Sequence, residues 1–341
     1  MSPTWFEMKS DKAQMTGALM QAELAEAPRV FARSVRQAVP VLAMPLAFYT
    51  VARGSSDAAA SILSYEFMRE TRRPMTSLAP SVFSIGSGVA IPGTTMLVIS
   101  QSGASADLVA AARSGRRQGA QVIGIVNVAA SLVAQAAQLV LPIAAGPELA
   151  VPATKSVLGA IGAGMALLGS LVPGYAERAA DSAVKVAALA GQVLPEQRAL
   201  VAALTGARHV YVIGRDTGFG AAQELALKLK ETCTLHAEAY SASEVLHGPL
   251  QLATNPLVVV ILDTEQAEVQ PSLDLAEARL SEAGALVWRI RASTCGAHGL
   301  TPAAAAAALL CLTYPVVLET ARALGLDPDR PATLSKVTQT T

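Results

Sequence analysis

The chain contains the same local pattern twice, and this repeat limits the folds that it can adopt. The run FYTVARGSSDAAASILSYEF at 48–67 aligns with VYVIGRDTGFGAAQELALKL at 210–229, an offset of 162 positions. Each run has an apolar strand pattern, a turn of small residues and an Ala-rich helix pattern. At the same offset, the apolar run at 95–100 falls on LVVVIL at 257–262. The chain is therefore predicted to be a duplication of one structural unit.

Strands and helices alternate within each unit. In the first unit the pattern predicts strands at 47–52, 95–99 and 122–126, with helices at 56–70 and 106–118. Strands that are almost continuously apolar are typical of a parallel sheet covered by helices on both faces. We therefore predict an α/β fold of two tandem domains, each a doubly wound parallel sheet flanked by helices. Ligands of such sheets bind beyond the carboxyl ends of the strands.

The predicted domain limits come from the regions between these patterns. Helical periodicity at 15–39 indicates an N-terminal helical arm, with Glu23 on its solvent side and an interruption at Pro28. The stretch GQVLPEQ at 191–197 separates the two units. The predicted organisation is an arm at 1–40, a first domain at 41–195 and a second domain with a C-terminal tail at 196–341.

Composition excludes several classes of protein. The 341 residues are 52% hydrophobic and carry no formal net charge, which allows a large core and leaves no basic footprint for nucleic acid. Three cysteines without C-x-x-C spacing argue against a disulfide framework and against a structural zinc site. The N-terminus contains acidic residues and lacks the apolar core of a signal peptide, so a cytoplasmic location is expected.

One apolar segment, VLGAIGAGMALLGSLVP at 157–173, is barely long enough to span a membrane. Its many Gly and Ala residues favour a buried helix, and no association with a membrane is expected. Small residues let helices approach closely. The sequence therefore leaves two places for this helix, the core of a domain or a subunit interface.

Polar side chains gather after the second predicted strand, in the sequence SQSGAS at 100–105. Ser100, Gln101, Ser102 and Ser105 lie at a strand-to-helix turn, where free backbone N–H groups meet the positive end of the helix dipole. Hydroxyl and amide donors at such a turn suit a phosphate group. The alternative is a helix N-cap without a ligand, because Ser favours that position by itself.

The densest group of ionisable residues lies in the second unit, at 223–252. Helical spacing places Glu224, Lys228 and Glu231 on one face of a helix. The alternative is a solvent-exposed ladder of ion pairs, which such a face commonly forms.

A short helix is predicted after this face. The S-x-x-E pattern from Ser241 to Glu244 is typical of a capping box at a helix start. Gly248 and Pro249 then indicate a helix end at His247.

Several blocks in this order resemble the sugar isomerase (SIS) family. The resemblance is to the isomerase half of glutamine–fructose-6-phosphate aminotransferase and to the SIS-type glucosamine-6-phosphate deaminases, and it covers the chain from about Met15 to the C-terminus. The blocks are RGSS at 53–56, SQSG at 100–103, ALKLKE at 226–231, HAEAY at 236–240, HGP at 247–249 and LSKV at 334–337. The resemblance implies a sugar phosphate as ligand and a homodimer with active sites near the subunit interface.

The resemblance also implies which residues bind the sugar phosphate. The implied phosphate-binding residues are Ser55, Ser56, Ser100, Gln101, Ser102 and Ser105. The block ELAVPATKS at 148–156 implies that Glu148 and Thr154 line the sugar pocket. Pro152 and Ala153 depart from the aminotransferase pattern there.

Four further residues are implied to perform the chemistry. Glu231 is the implied base that moves a proton between C1 and C2, with Lys228 beside it to stabilise the developing negative charge. His247 is implied in opening the sugar ring, because imidazole exchanges protons near neutral pH. Lys336 is implied at the keto carbon, where an amine can form a Schiff base. The alternative for Lys336 is an exposed lysine of the tail.

The expected reaction follows from one difference to the aminotransferase. That enzyme makes ammonia in a glutaminase domain, and we expect no such domain in this chain. The expected reaction is glucosamine 6-phosphate plus water to fructose 6-phosphate plus ammonia, with no metal or redox cofactor. The alternatives are a fructosamine-6-phosphate deglycase, a galactosamine-6-phosphate deaminase and a non-catalytic sugar-phosphate sensor. His247 contributed across a dimer interface is one implied arrangement.

Overall fold

The first half of the molecule is a five-stranded parallel sheet with helices on both faces. The computed structural model describes residues 16–336, so residues 1–15 of the predicted arm and 337–341 of the tail lie outside the described residues. The elements of the first half are α1 (Ala18–Val35), β1 (Phe48–Val51), α2 (Ser55–Thr71), β2 (Met75–Ser77), α3 (Ser81–Ser84), β3 (Thr95–Ser100), α4 (Ala106–Arg117), β4 (Gln121–Val126), α5 (Leu132–Ala136), β5 (Leu139–Pro142), α6 (Lys155–Leu171) and α7 (Tyr175–Ala187). The strand order is β2-β1-β3-β4-β5.

The second half repeats this topology with four strands. Its elements are α8 (Gln197–Thr205), β6 (His209–Gly214), α9 (Thr217–Cys233), β7 (His236–Ser241), β8 (Val258–Asp263), α10 (Gln270–Glu282), β9 (Leu286–Arg291) and α11 (Pro302–Ala323). The order β7-β6-β8-β9 matches the first four strands of the other sheet, and every pairing is parallel. The predicted α/β fold of two doubly wound parallel sheets is confirmed.

The duplication extends to an unusual backbone conformation at equivalent turns. Gly54 precedes α2 with φ 54° and ψ −130°, and Asp216 precedes α9 with φ 57° and ψ −132°. A residue with a side chain rarely adopts this conformation. The Asp216 carboxylate accepts a hydrogen bond from the Thr217 N–H at 2.7 Å and pairs with Arg69 at 2.7 Å, and these contacts offset part of the cost.

The apolar segment at 157–173 is part of the core within one chain. Helix α6 is buried continuously from Lys155 to Leu168 and packs against α1 and α2. Its side chains are therefore covered without a second subunit, and the alternative of a subunit interface is wrong for this helix. Among the described helices, α11 is the one whose length and composition would allow it to cross a membrane, but 83% of its most apolar window is buried inside the fold.

Three of the local predictions from the sequence are wrong. Helix α1 runs unbroken through Pro28, and Glu23 on this helix is buried, because its carboxylate accepts N–H groups from the turn at 148–150. Ser241 does not cap a helix, because it ends strand β7 and its hydroxyl accepts a hydrogen bond from Arg215 at 3.0 Å. The predicted short helix is a 3₁₀ turn, Glu244–His247.

Candidate active site

A pocket of about 220 Å³ opens where the strands of the first sheet end. It lies beyond the carboxyl ends of β1 and β3, as expected for a ligand site of a doubly wound sheet. The second half and the tail complete it. The lining residues are Arg53, Ser55, Ser56, Ser100, Gln101, Ser102, Ser105, Leu108, Val151, Ala153, Lys228, Glu231, Leu334, Ser335 and Lys336.

The SQSGAS turn forms one wall of this pocket and has a fixed backbone. The Ser100 hydroxyl accepts the Gly103 N–H at 3.0 Å, and the Ser102 hydroxyl accepts the Ala104 N–H at 3.3 Å. Gly103 has φ 61°, and a Cβ atom there would lie 2.2 Å from the Ser131 hydroxyl oxygen, so only glycine fits this turn. The turn therefore holds its serines in place before any ligand arrives.

Ser105 does not act as an ordinary N-cap. It occupies the position before α4, but its side chain makes no capping hydrogen bond in the described structure. The hydroxyl of a capping serine normally accepts an N–H of the first helical turn. At Ser105 the hydroxyl instead lines the pocket, which favours the ligand-binding interpretation of this turn over a simple cap.

Two helices begin at the pocket. Ser55 and Ser56 form the start of α2, and Ser105 precedes α4, so the positive ends of both helix dipoles face the same space. Arg53 adds a guanidinium to the rim and forms an ion pair with Asp107, which is buried in the first turn of α4. An anion such as a phosphate is favoured here by helix ends, hydroxyls and a nearby cation.

The Arg53–Asp107 ion pair was not predicted from the sequence. The two residues are 54 positions apart and belong to different strand-to-helix turns. The sequence offered one weak signal, the acidic residue in the first turn of the α4 pattern. Acidic residues favour helix starts even without an ion-pair partner, so this residue did not indicate Arg53.

Glu224, Lys228 and Glu231 form a charged group at the opposite wall, in which Glu224 and Lys228 are buried. Side-chain exposure is 0% for Glu224 and 1% for Lys228, so the alternative of a solvent-exposed ladder is wrong. Helix α9, which carries these residues, is covered by α2 and α11. Lys228 Nζ lies 3.8 Å from Glu224 Oε1 and also pairs with Glu231, which faces the pocket.

Burial and neighbouring charges set the pKa values of Glu224 and Lys228. Burial raises the pKa of Glu224 to about 7, although the Lys228 ammonium acts in the opposite direction. Burial alone would lower the pKa of Lys228, but the carboxylates of Glu224 and Glu231 outweigh it and raise that pKa. The Tyr314 hydroxyl donates to Glu224 at 3.1 Å. A buried ammonium therefore stands directly beside the Glu231 carboxylate.

Lys336 enters the pocket from the tail. Its Nζ donates to the Ala150 carbonyl at 2.7 Å and lies 3.2 Å from Glu148 Oε2. Lys336 is therefore not an exposed tail lysine: its side chain is only 25% exposed and lines the pocket.

Glu148 and Thr154 lie behind the pocket wall instead of on it. The Glu148 carboxylate accepts the N–H groups of Thr154 and Ser156, each at 3.0 Å, and the Ser156 hydroxyl at 2.7 Å. Burial acts to raise the pKa of Glu148, but the Lys336 ammonium and these hydrogen bonds lower it below its ordinary value. Glu148 is thus a buried carboxylate that orients Lys336.

His247 is not brought to the pocket by its own chain. It lies exposed in the 3₁₀ turn Glu244–His247 and is absent from the residues that line the pocket. The other catalytic candidates, Glu231, Lys228 and Lys336, meet there together with all six of the predicted phosphate-binding residues.

The described residues contain no group of three His, Cys, Asp or Glu side chains arranged to hold a metal ion. Cys233, Cys295 and Cys311 are all free thiols.

Fold and site together define a class of protein: two tandem parallel α/β units with a serine-rich pocket at the strand ends of the first unit. The model of the SIS domain matches residues 47–170 and 203–293. The chain therefore belongs to the SIS domain family.

Curated relatives carry the name glutamine–fructose-6-phosphate aminotransferase (isomerizing). A Bradyrhizobium diazoefficiens protein of this name is 33% identical over 272 aligned positions, and the match covers 71% of this chain and 44% of the relative. One from Agrobacterium fabrum is 30% identical over 80% of this chain and 48% of its own length. The chain thus spans about half the length of these relatives.

Solved structures share the fold over nearly the whole chain. A Silicibacter pomeroyi DSS-3 protein, provisionally described as a phosphosugar isomerase, has a TM-score of 0.81 and 32% identity, covering 92% of this chain and 100% of its own. The C-terminal domain of the Francisella tularensis aminotransferase has a TM-score of 0.76 at 21% identity, covering 93% and 99% of the two chains. Thermotoga maritima glucosamine-6-phosphate deaminase has a TM-score of 0.72 at 20% identity, covering 95% and 100%.

Proposed function

We propose that this chain is an enzyme acting on an aminosugar phosphate, converting glucosamine 6-phosphate and water into fructose 6-phosphate and ammonia. One observation carries the proposal: a single pocket has the serine turn at one wall and the paired Glu231 and Lys228 at the other. Lys336 lines the same pocket from the C-terminal tail. An anionic tail at one end and a proton-transfer carboxylate at the other are what an isomerisation at C1 and C2 requires.

The reaction divides into steps that suit these side chains. His247 passes the ring proton as the pyranose opens to the aldehyde. Glu231 removes the proton at C2 and returns a proton at C1, while the Lys228 ammonium stabilises the negative charge that develops in between. Water then adds to the C2 imine. Ammonia leaves, and C2 becomes the keto carbon of fructose 6-phosphate. Lys336 holds the keto carbon end of the product.

The size of the pocket suits a compact hexose phosphate. A pocket of about 220 Å³ is smaller than the roughly 300–1,000 Å³ typical of sites for drug-sized ligands. A hexose phosphate is compact, whereas a deglycase substrate carries an additional group on its nitrogen. The relatives and the similar structures, named as aminotransferases and a deaminase of hexose phosphates, are consistent with a compact substrate.

The direct test is release of ammonia from a panel of purified sugar phosphates. We expect turnover of glucosamine 6-phosphate, coupled to formation of fructose 6-phosphate, and little turnover of fructosamine 6-phosphate or galactosamine 6-phosphate. Preference for either of those would select the deglycase or the other deaminase. Tight sugar-phosphate binding without ammonia release from any of the three would identify a sensor and reject the enzyme.

The proposal includes a cytoplasmic location. The three free thiols are consistent with a reducing compartment.

We further propose that His247 reaches the pocket from a second copy of the chain in a homodimer. The proposal predicts complementation between two inactive variants, Glu231→Gln and His247→Ala. After unfolding and refolding as an equimolar mixture, each mixed dimer has one intact site, and about a quarter of the wild-type ammonia release is expected to return. Each variant refolded alone is the control. No recovery in a mixture that forms dimers would show that the sites are not shared.

A further inference from the structure

The tail segment that carries Lys336 is fastened to the first helix. Asp329 lies seven residues before Lys336 and is only 7% exposed. Its carboxylate accepts the backbone N–H of Leu19 at 2.9 Å and of Met20 at 2.8 Å, at the start of α1. The first N–H groups of a helix have no partner within it, and a negative charge at that end is stabilising. Asp329 supplies both at the beginning of α1.

The start of α1 is shaped to receive this segment. Gly17, immediately before the helix, has φ 74°, a conformation that favours glycine. A Cβ atom on Gly17 would lie 2.8 Å from Cγ of Pro328 and 2.5 Å from a methyl carbon of Leu318. A larger residue could not stand there without moving the tail away from the helix.

The same contacts continue into the pocket. The Asp329 carbonyl accepts the Val151 N–H at 3.1 Å, and the neighbouring Ala150 carbonyl accepts Lys336 Nζ at 2.7 Å. Glu23 of α1 is 4% exposed, and its carboxylate accepts the N–H groups of Leu149 and Ala150. Helix α1 therefore holds both the tail before Lys336 and the turn that Lys336 contacts.

We propose that Asp329 is a positioning residue for Lys336: it fixes the tail to the start of α1, so that the lysine enters the pocket. The Asp329 carboxylate supplies two of the described hydrogen bonds between this segment and α1. The consequence for turnover rests on the proposed function. The consequence for the location of Lys336 does not depend on it.

The first test follows the lysine without any substrate. In Asp329→Ala, acetylation of Lys336 by a limiting amount of acetic anhydride, read by mass spectrometry, is expected to be several-fold faster than in the wild type. Amide exchange of Leu19, Met20 and Val151 is expected to accelerate in the same variant. Arg330→Ala, an exposed change in the same segment, is the control and should alter neither. Unchanged labelling of Lys336 in a variant with accelerated exchange would overturn the proposal.

A second variant guards against general unfolding. In Asp329→Asn the side-chain oxygen can accept one of the two N–H groups, so labelling of Lys336 is expected to fall between the wild type and Asp329→Ala. Both variants are compared at temperatures where circular dichroism shows them folded. Two results together would overturn the proposal by showing a purely structural role. Lys336 would be labelled at the wild-type rate in Asp329→Asn, and every lysine would be labelled uniformly faster in Asp329→Ala.

Kinetics test the catalytic consequence. If ammonia release is found, Asp329→Ala is expected to lower kcat by about a hundredfold, the scale of a misplaced catalytic group. Affinity for inorganic phosphate should hold, because the serine turns are untouched. The double variant Asp329→Ala with Lys336→Ala should be no slower than Lys336→Ala alone. Multiplying losses would overturn the positioning role, whereas no turnover by the wild type would refute the proposed function and leave the labelling result standing.

Discussion

Replacing Glu231 by Gln is expected to lower ammonia release from glucosamine 6-phosphate by about a thousandfold, within the range that general acid–base catalysis contributes. The amide has nearly the same size and shape as the carboxylate but cannot take up the C2 proton. The phosphate end of the pocket is formed by other residues, so affinity for fructose 6-phosphate should change by no more than about twofold. Initial rates from a coupled ammonia assay and calorimetric titration of fructose 6-phosphate measure the two quantities.

The matched control is Glu282→Gln, the same chemical change at the exposed end of α10. It should leave both the rate and the affinity at wild-type values. The assignment of Glu231 as the base is wrong if Glu231→Gln turns over at the wild-type rate, and equally if it loses fructose 6-phosphate binding while the remaining bound fraction reacts normally.

The fold was predictable because its signal is local and occurs twice. Apolar runs such as Thr95–Ser100 bury every side chain, and helices such as Ala106–Arg117 have a regular apolar face, so each pattern indicated one type of element. Glu23 and Pro28 show where this reasoning fails. A helix pattern gives the solvent side of an isolated helix, but Glu23 is covered by the turn at 148–150, which lies far away in the sequence. Pro28 is tolerated because it is buried in the packing of α1, which outweighs one lost backbone hydrogen bond.

The same distinction applies to the pocket. The SQSGAS turn and the spacing of Glu224, Lys228 and Glu231 are each contained in a few neighbouring residues, and both lie at the pocket. The burial of this face of α9 depends on α11, which lies about 80 residues further along the chain. The contact of Lys336 with Glu148 joins residues 188 positions apart, and no periodic pattern links them. Only the three-dimensional fold reveals that Glu148 orients a lysine.

The buried charged group gives the second large effect, which is on stability. Lys228→Met fills a similar volume with an apolar side chain and removes the ammonium between Glu224 and Glu231. Breaking a buried ion pair from one side typically costs about 3–5 kcal/mol, because the remaining charge is left without compensation. We expect a loss of this size in the free energy of unfolding at pH 8, measured by urea denaturation.

The loss is expected to depend on pH in a defined direction. Burial already raises the pKa of Glu224 to about 7, and without the Lys228 ammonium that pKa rises further. Above about pH 4.5 the unfolded chain has released this proton while the folded variant still holds it, so the free energy of unfolding falls as pH rises. The deficit relative to the wild type should therefore shrink as the pH is lowered from 8 to about 7. It should stay level at lower pH, because Glu224 of the folded wild type also holds its proton there.

Lys230→Met provides the control, because this lysine is exposed on the same helix two positions away. Its free energy of unfolding should stay within about 0.5 kcal/mol of the wild type at every pH. The two lysines differ in burial and not in chemistry, so the contrast isolates the buried site. Equal stability of Lys228→Met and Lys230→Met would mean that water reaches the Glu224 carboxylate, and that Glu224 and Lys228 do not share a low-dielectric environment.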